Sequence, residues 1–142
     1  MAKEPREPPM LSRTASCACG ALRVTVVGAP EVVNACSCLN CQKRSGSAFS
    51  YTAFFRNAAV GIEGEARPYR EMRAAGRWHE VHFCVSCGVA VLSRLEVLPH
   101  LTGVAVGCFA DASFDAPSGF YWAARRHHWL PAPHGIRVVE EQ

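Results

Sequence analysis

Seven of the chain's eight cysteines fall into short chelating groups, and this grouping restricts the fold more than any other feature. Cys17-Ala18-Cys19-Gly20 stands near the start, Cys36-Ser37-Cys38-Leu39-Asn40-Cys41 follows, and Cys84-Val85-Ser86-Cys87-Gly88 lies far downstream. Thiols spaced C-x-C and C-x-x-C close small chelating loops around a metal ion. The two outer pairs together supply four ligands, a full tetrahedral set, so the fold must bring residue 17 next to residue 87. The three central thiols are one short. Either a histidine or Cys108 completes a second structural site, or one position stays open for a substrate.

Cys17, Cys19, Cys84 and Cys87 form a coordinatively closed set, to which no chemistry is assigned. Zinc is the ion that four thiolates without a redox motif suit best, with iron the runner-up. Gly20 and Gly88 free the backbone to turn beneath such an ion. Cys36, Cys38 and Cys41 are the candidate catalytic residues. Three thiolates on Zn²⁺ leave a net charge of about −1, a weaker Lewis acid than a three-histidine site. Such a site activates water poorly but still holds an incoming thiol as thiolate. Chemistry at sulfur therefore fits better than hydrolysis.

Other titratable groups read more plainly. Cys108 lies in the apolar run Gly103-Val104-Ala105-Val106-Gly107-Cys108-Phe109 and is expected to be a small core residue. His79 and His82 flank a strand, and His127-His128 stand beside Trp129; solvated or core histidines account for each. No Ser-His-Asp set and no isolated carboxylate pair is present.

A chain of 142 residues with 49% hydrophobic content suits one domain with a core that packing can sustain. A net charge of +3 is too mild to argue for nucleic acid. Thirteen of the fifteen basic residues are arginine, whose planar guanidinium grips carboxylates in bidentate fashion. The opening stretch MAKEPREPP has no apolar signal-like core, and no apolar run reaches membrane-spanning length. A cytoplasmic protein with reduced, metal-bound cysteines is expected.

Along the chain, residues 1–11 read as a disordered tail, 12–138 as the domain, and 139–142 as a short C-terminal tail. Residues 21–27, 32–36, 49–55, 60–64, 67–72, 78–84, 89–95 and 101–109 read as strands, with another near residue 120. Residues 40–44 predict one or two helical turns ending at Ser45-Gly46-Ser47. The fold class is mainly β, with short antiparallel sheets around a zinc-ribbon-like pair of knuckles.

With these motifs set out, the chain resembles the glutathione-dependent formaldehyde-activating enzyme family, also called the centromere protein V domain family. The likeness runs from about Ala15 to Pro133. It includes Cys17-Ala18-Cys19-Gly20, Cys36 to Lys43 with Ser45-Gly46-Ser47-Ala48-Phe49, Phe83 to Gly88, and Trp129. The resemblance implies a β-tent fold with a structural zinc on Cys17, Cys19, Cys84 and Cys87. It also implies a second, catalytic-type zinc on Cys36, Cys38 and Cys41. The implied activity is condensation of formaldehyde with glutathione to S-hydroxymethylglutathione, a carbon–sulfur lyase reaction. Ala15 stands where the family usually has glycine, and Gly107-Cys108-Phe109-Ala110-Asp111 departs from its usual Gly-x-Leu-Asp; neither change touches a ligand cysteine.

The expected function is therefore zinc-dependent addition of glutathione or a related thiol to a small aldehyde. Arginines between 67 and 77, or Lys43-Arg44, are candidates for the tripeptide's carboxylates. The rival reading is a non-catalytic zinc module for a protein or nucleic-acid partner, resting on the basic–aromatic cluster Arg125-Arg126-His127-His128-Trp129.

Overall fold

A computed structural model describes residues 10–73 and 76–141. Of the expected N-terminal tail, only Met10 and Leu11 fall among the described residues. The strands are β1 (Ser12–Ser16), β2 (Arg23–Val27), β3 (Val32–Cys36), β4 (Ser50–Arg56), β5 (Val60–Glu63), β6 (Ala66–Met72), β7 (Trp78–Cys84), β8 (Ala90–Leu95), β9 (Leu101–Ala105), β10 (Gly119–Tyr121) and β11 (Arg137–Val139). One helix, α1 (Leu39–Ser45), follows β3 and ends on Gly46 in the left-handed region. The expected mainly β architecture is what the chain adopts, and no helix among the described residues is long and apolar enough to cross a membrane.

The strands form a three-stranded sheet, β1-β2-β5, and an eight-stranded sheet in the order β11-β10-β3-β4-β9-β8-β7-β6. Pairing is antiparallel throughout except at β10, which runs parallel to both β3 and β11. A long connection after β9 brings the chain back into the sheet in the direction of β3, which a short hairpin could not do. The apolar run 101–109 does not continue as one strand. It leaves the sheet after Ala105 and tightens into a 3₁₀ turn, Val106–Phe109, closed by Ala110 at φ 50°.

Side-chain alternation gives the large sheet two distinct faces. On the inner face, Val33, Ala53, Phe55 and Val104 pack against Ala15, Leu22, Val24 and Val26 of the small sheet's layer. Each fully buried aliphatic or aromatic side chain there contributes about 1.5–3 kcal/mol. Phe109 and Phe114 close one end, stacked with centroids 5.0 Å apart. The outer face carries a different set. Asn34 lies opposite Thr52 and Cys36 opposite Ser50. Phe54 lies opposite Gly103, Gly103 opposite Ser93, and His79 opposite Leu95. This second face is the floor of a cleft.

Candidate metal centres and the cleft they open on

The two outer cysteine pairs converge on nearly the same backbone frame despite their different spacing. In the first, the Cys17 N–H donates to the Leu22 carbonyl at 3.0 Å and the Gly20 N–H to the Cys17 carbonyl at 3.1 Å. In the second, the Cys84 N–H donates to the Val89 carbonyl at 3.0 Å and the Gly88 N–H to the Cys84 carbonyl at 2.9 Å. Gly20 and Gly88 take φ of 80° and 79°, the left-handed conformation expected of them. Cys17 and Cys84 are buried while Cys19 and Cys87 are exposed.

All four sulfurs lie within 4.8 Å of one another. The Cys17–Cys19 and Cys19–Cys84 separations are 3.6 and 3.7 Å. Four thiolates around a tetrahedral ion with bonds of about 2.3 Å would stand about 3.8 Å apart, so the residues fit such an ion. The Leu22 N–H, 3.2 Å from the Cys17 sulfur, is the main reason that thiol falls to about 6. Cys108 stays outside this set. It packs against the core, where burial pushes its thiol up.

The three central cysteines meet where β3 runs into α1. Cys36 ends the strand, Cys38 caps the helix, and Cys41 lies buried in its first turn. Their sulfurs also fall within 4.8 Å of one another, and no histidine, aspartate or glutamate among the described residues joins them. Neither Cys108 nor a histidine therefore completes the set. Backbone N–H groups of Cys38 and Cys41 point at the sulfurs of Cys36 and Cys38, at 3.5 and 3.4 Å. As free thiols, Cys36 and Cys38 hydrogen-bond to Cys41 and hold it well below the usual thiol range, with the charge of Arg44 adding to this; contacts with Cys38 and then Cys41, followed by burial, push Cys36 up.

Two arginines brace this cluster. Arg44 Nη2 approaches the Cys41 sulfur at 3.5 Å, and Arg73 Nη1 approaches that of Cys38 at 3.6 Å. Both also pair with Glu71, at 3.5 and 3.0 Å. Both reach the Nδ1 of His79, at 3.2 and 2.6 Å. Burial, followed by those two guanidinium charges, lowers His79 to about 3, so it is neutral. Reading His79 as an ordinary core or surface histidine misses this environment. Its place on the floor followed from alternation with Val81 in β7, but the arginines come from elsewhere in the chain.

The cluster opens on a cleft of about 870 Å³, walled by Tyr121, Trp122, Trp78, Leu95 and Val97 as well as the floor residues. Among the described residues, four arginines line it: Arg44, Arg73, Arg77 and Arg125. The sequence pointed to the region 67–77 and to Lys43-Arg44 for carboxylate binding. Of these, Arg67 is exposed on β6, Arg70 pairs with Glu80 and stacks on Trp78, and Lys43 borders a separate groove. Among the described residues, no carboxylate pairs with Arg77 or Arg125.

The basic–aromatic cluster near the end does not form one face. Arg125 enters the cleft, and Arg126 folds back onto the carbonyls of Ala123 and Leu130. His127 meets Gln42 at 3.1 Å. Gln42 in turn donates to the carbonyls of Ser37 and Arg125, at 2.7 and 3.0 Å, and so fastens the C-terminal segment over the three-cysteine loop.

The family model described as glutathione-dependent formaldehyde-activating enzyme matches residues 12–127. Among solved structures, the chain is similar to a Rhodobacter sphaeroides protein, with 20% identity and a TM-score of 0.51 over 67% of this chain and 85% of that one. That likeness is one of fold. No curated protein matches the chain significantly.

Proposed function

The chain belongs to the glutathione-dependent formaldehyde-activating enzyme family, and from that premise we propose that it adds glutathione or a related thiol to formaldehyde or another small aldehyde, as a carbon–sulfur lyase. One observation carries the reading: three converged cysteine sulfurs, with no fourth protein ligand among the described residues, face a cleft lined by arginines. We assign zinc to both cysteine sets, Cys17, Cys19, Cys84 and Cys87 for structure and Cys36, Cys38 and Cys41 for reaction. At the second set zinc would supply an ion that holds a thiol in its deprotonated form.

The rest falls to the chain's own residues. Arg77 and Arg125 are the guanidiniums available for the tripeptide's carboxylates, which they would grip in bidentate fashion. Arg44 and Arg73, committed to Glu71 and His79, hold Cys41 and Cys38 in place and offset their negative charge. The apolar side chains of Trp122, Leu95 and Val97 limit water around the reacting atoms. In the reaction, the thiolate sulfur attacks the carbonyl carbon. A carbon–sulfur bond forms, the π pair moves to oxygen, and that oxygen takes up one proton for the one the thiol lost. Fixing thiol and aldehyde side by side is the main source of rate.

Exchange NMR on an equilibrium mixture of formaldehyde and glutathione tests this. Zinc-loaded protein accelerates exchange above the spontaneous rate, and Cys41→Ser removes the acceleration while keeping the fold. No acceleration, with two zinc ions measured per chain, would refute the assigned reaction.

A further inference from the structure

Three buried polar side-chain atoms that meet no partner among the described residues belong to the cleft lining: Asn34 Oδ1, Arg73 Nε and His79 Nε2. Unmet buried donors and acceptors are rare, and three of them on residues that line one cleft call for an explanation there. His79 is the most constrained of the three. Its residue is only 7% exposed, on the sheet face that it shares with the cleft floor.

The tautomer of His79 follows from its neighbours. A guanidinium has only donors, and two of them converge on Nδ1, at 2.6 and 3.2 Å. Nδ1 must therefore carry the lone pair, which leaves the proton on Nε2. Burial and the Arg44 and Arg73 charges favour a neutral imidazole and outweigh the opposing charge of Cys41; Glu71 lies behind the two guanidiniums, paired with both. Nε2 is then a fixed N–H donor with no acceptor among the described residues.

We propose that the Nε2–H of His79 receives the carbonyl oxygen of the aldehyde and stabilises the negative charge that grows there as the thiolate adds. This rests on the reaction proposed above. The complementary partner for a lone buried N–H is an oxygen acceptor, and a donor set in place beforehand binds the developing alkoxide more tightly than the neutral carbonyl. A neutral imidazole locked in one tautomer acts in this way without giving up its proton. His79 would thus be a catalytic residue as an electrophile, distinct from the cysteines.

The test joins a spectroscopic readout to a variant series on the zinc-loaded, full-length protein. Long-range ¹H–¹⁵N NMR on histidine-labelled protein should show His79 as the Nε2–H tautomer throughout about pH 5 to 8. His79→Asn, which puts an amide near the Nδ1 position, should slow the formaldehyde–glutathione exchange by roughly 100-fold or more. His79→Gln, whose amide reaches the Nε2 position, should recover most of that loss, with zinc content and the KM for glutathione unchanged in both. An Nδ1–H tautomer, or equal acceleration by the Asn variant and the parent, overturns the role of His79 while leaving the reaction intact. A parent protein that gives no acceleration overturns the reaction and this role together.

Discussion

Arg73 Nη2 donates to the Nδ1 of His79 at 2.6 Å, while Nη1 of the same guanidinium reaches the Cys38 sulfur at 3.6 Å. One planar group thus ties the cleft floor to the three-cysteine cluster. Arg73→Leu should weaken metal binding at Cys36, Cys38 and Cys41 by about 10–100-fold, as is typical when an outer partner of a ligand is lost. Arg73→Lys should not restore it, because a point charge cannot span both partners. Chelator competition, read separately for the two metals, checks both statements. Equal affinity in the parent and the Leu variant would remove Arg73 from the site.

Breaking the two cysteine sets should have unequal consequences. Cys84 is 1% exposed and joins β7 to the turn between β1 and β2. Cys84→Ser should abolish cooperative thermal unfolding, because metal binding there is folding energy. Cys41→Ser should lose one metal and keep the transition within a few degrees, on the order of a 1 kcal/mol change. Metal analysis beside calorimetry reads both outcomes.

His79 sets a pH dependence whose sign is fixed. Its folded value, about 3, lies below the ordinary value of 6.5. Between those limits the unfolded chain binds more protons, so stability is fully present above about pH 6.5 and declines as pH falls toward 3. Removing this group with His79→Gln should flatten that decline. Urea midpoints for parent and variant across the window provide the comparison, and parallel curves would show that His79 titrates normally.

Gly103 lies under the cleft floor. A methyl group there would stand 2.6 Å from Ser93 Oγ and 2.9 Å from both Phe54 Cε1 and Thr52 Cγ2. Gly103→Ala should push these side chains toward the cleft at a cost of about 1–3 kcal/mol. Chemical denaturation gives the cost. A raised KM for the thiol, with little change in metal content, gives the effect on the cleft.

Much of this was legible in the sequence. β3 and β7 occupy the residues read as strands, 32–36 and 78–84, although the alternation of β7 breaks at an irregularity between His82 and Phe83; the grouping of cysteines by spacing is the grouping found in space. β1 left little trace, since Ser-Arg-Thr-Ala-Ser offers one apolar side chain; its pairing with β2 and the burial of Ala15 create it. The parallel seat of β10 depends on a connection whose course no local pattern records. His79 was visible as a strand residue, but its significance lies in Arg44 and Arg73, long side chains that approach it across sequence gaps of 35 and 6 residues. Periodicity places backbones well. It says little about where an arginine's far end will come to rest.

The approach of Cys19 to Cys84 joins points 65 residues apart, and β3, α1, β4 and β7 all lie inside the loop so closed. Shutting a flexible loop costs an entropy that grows only with the logarithm of its length, so a single ion can tether a segment of this size. An ion held by Cys17, Cys19, Cys84 and Cys87 would therefore anchor at both ends the segment that carries Cys36, Cys38 and Cys41, so that its removal would release the three-thiol cluster along with the loop.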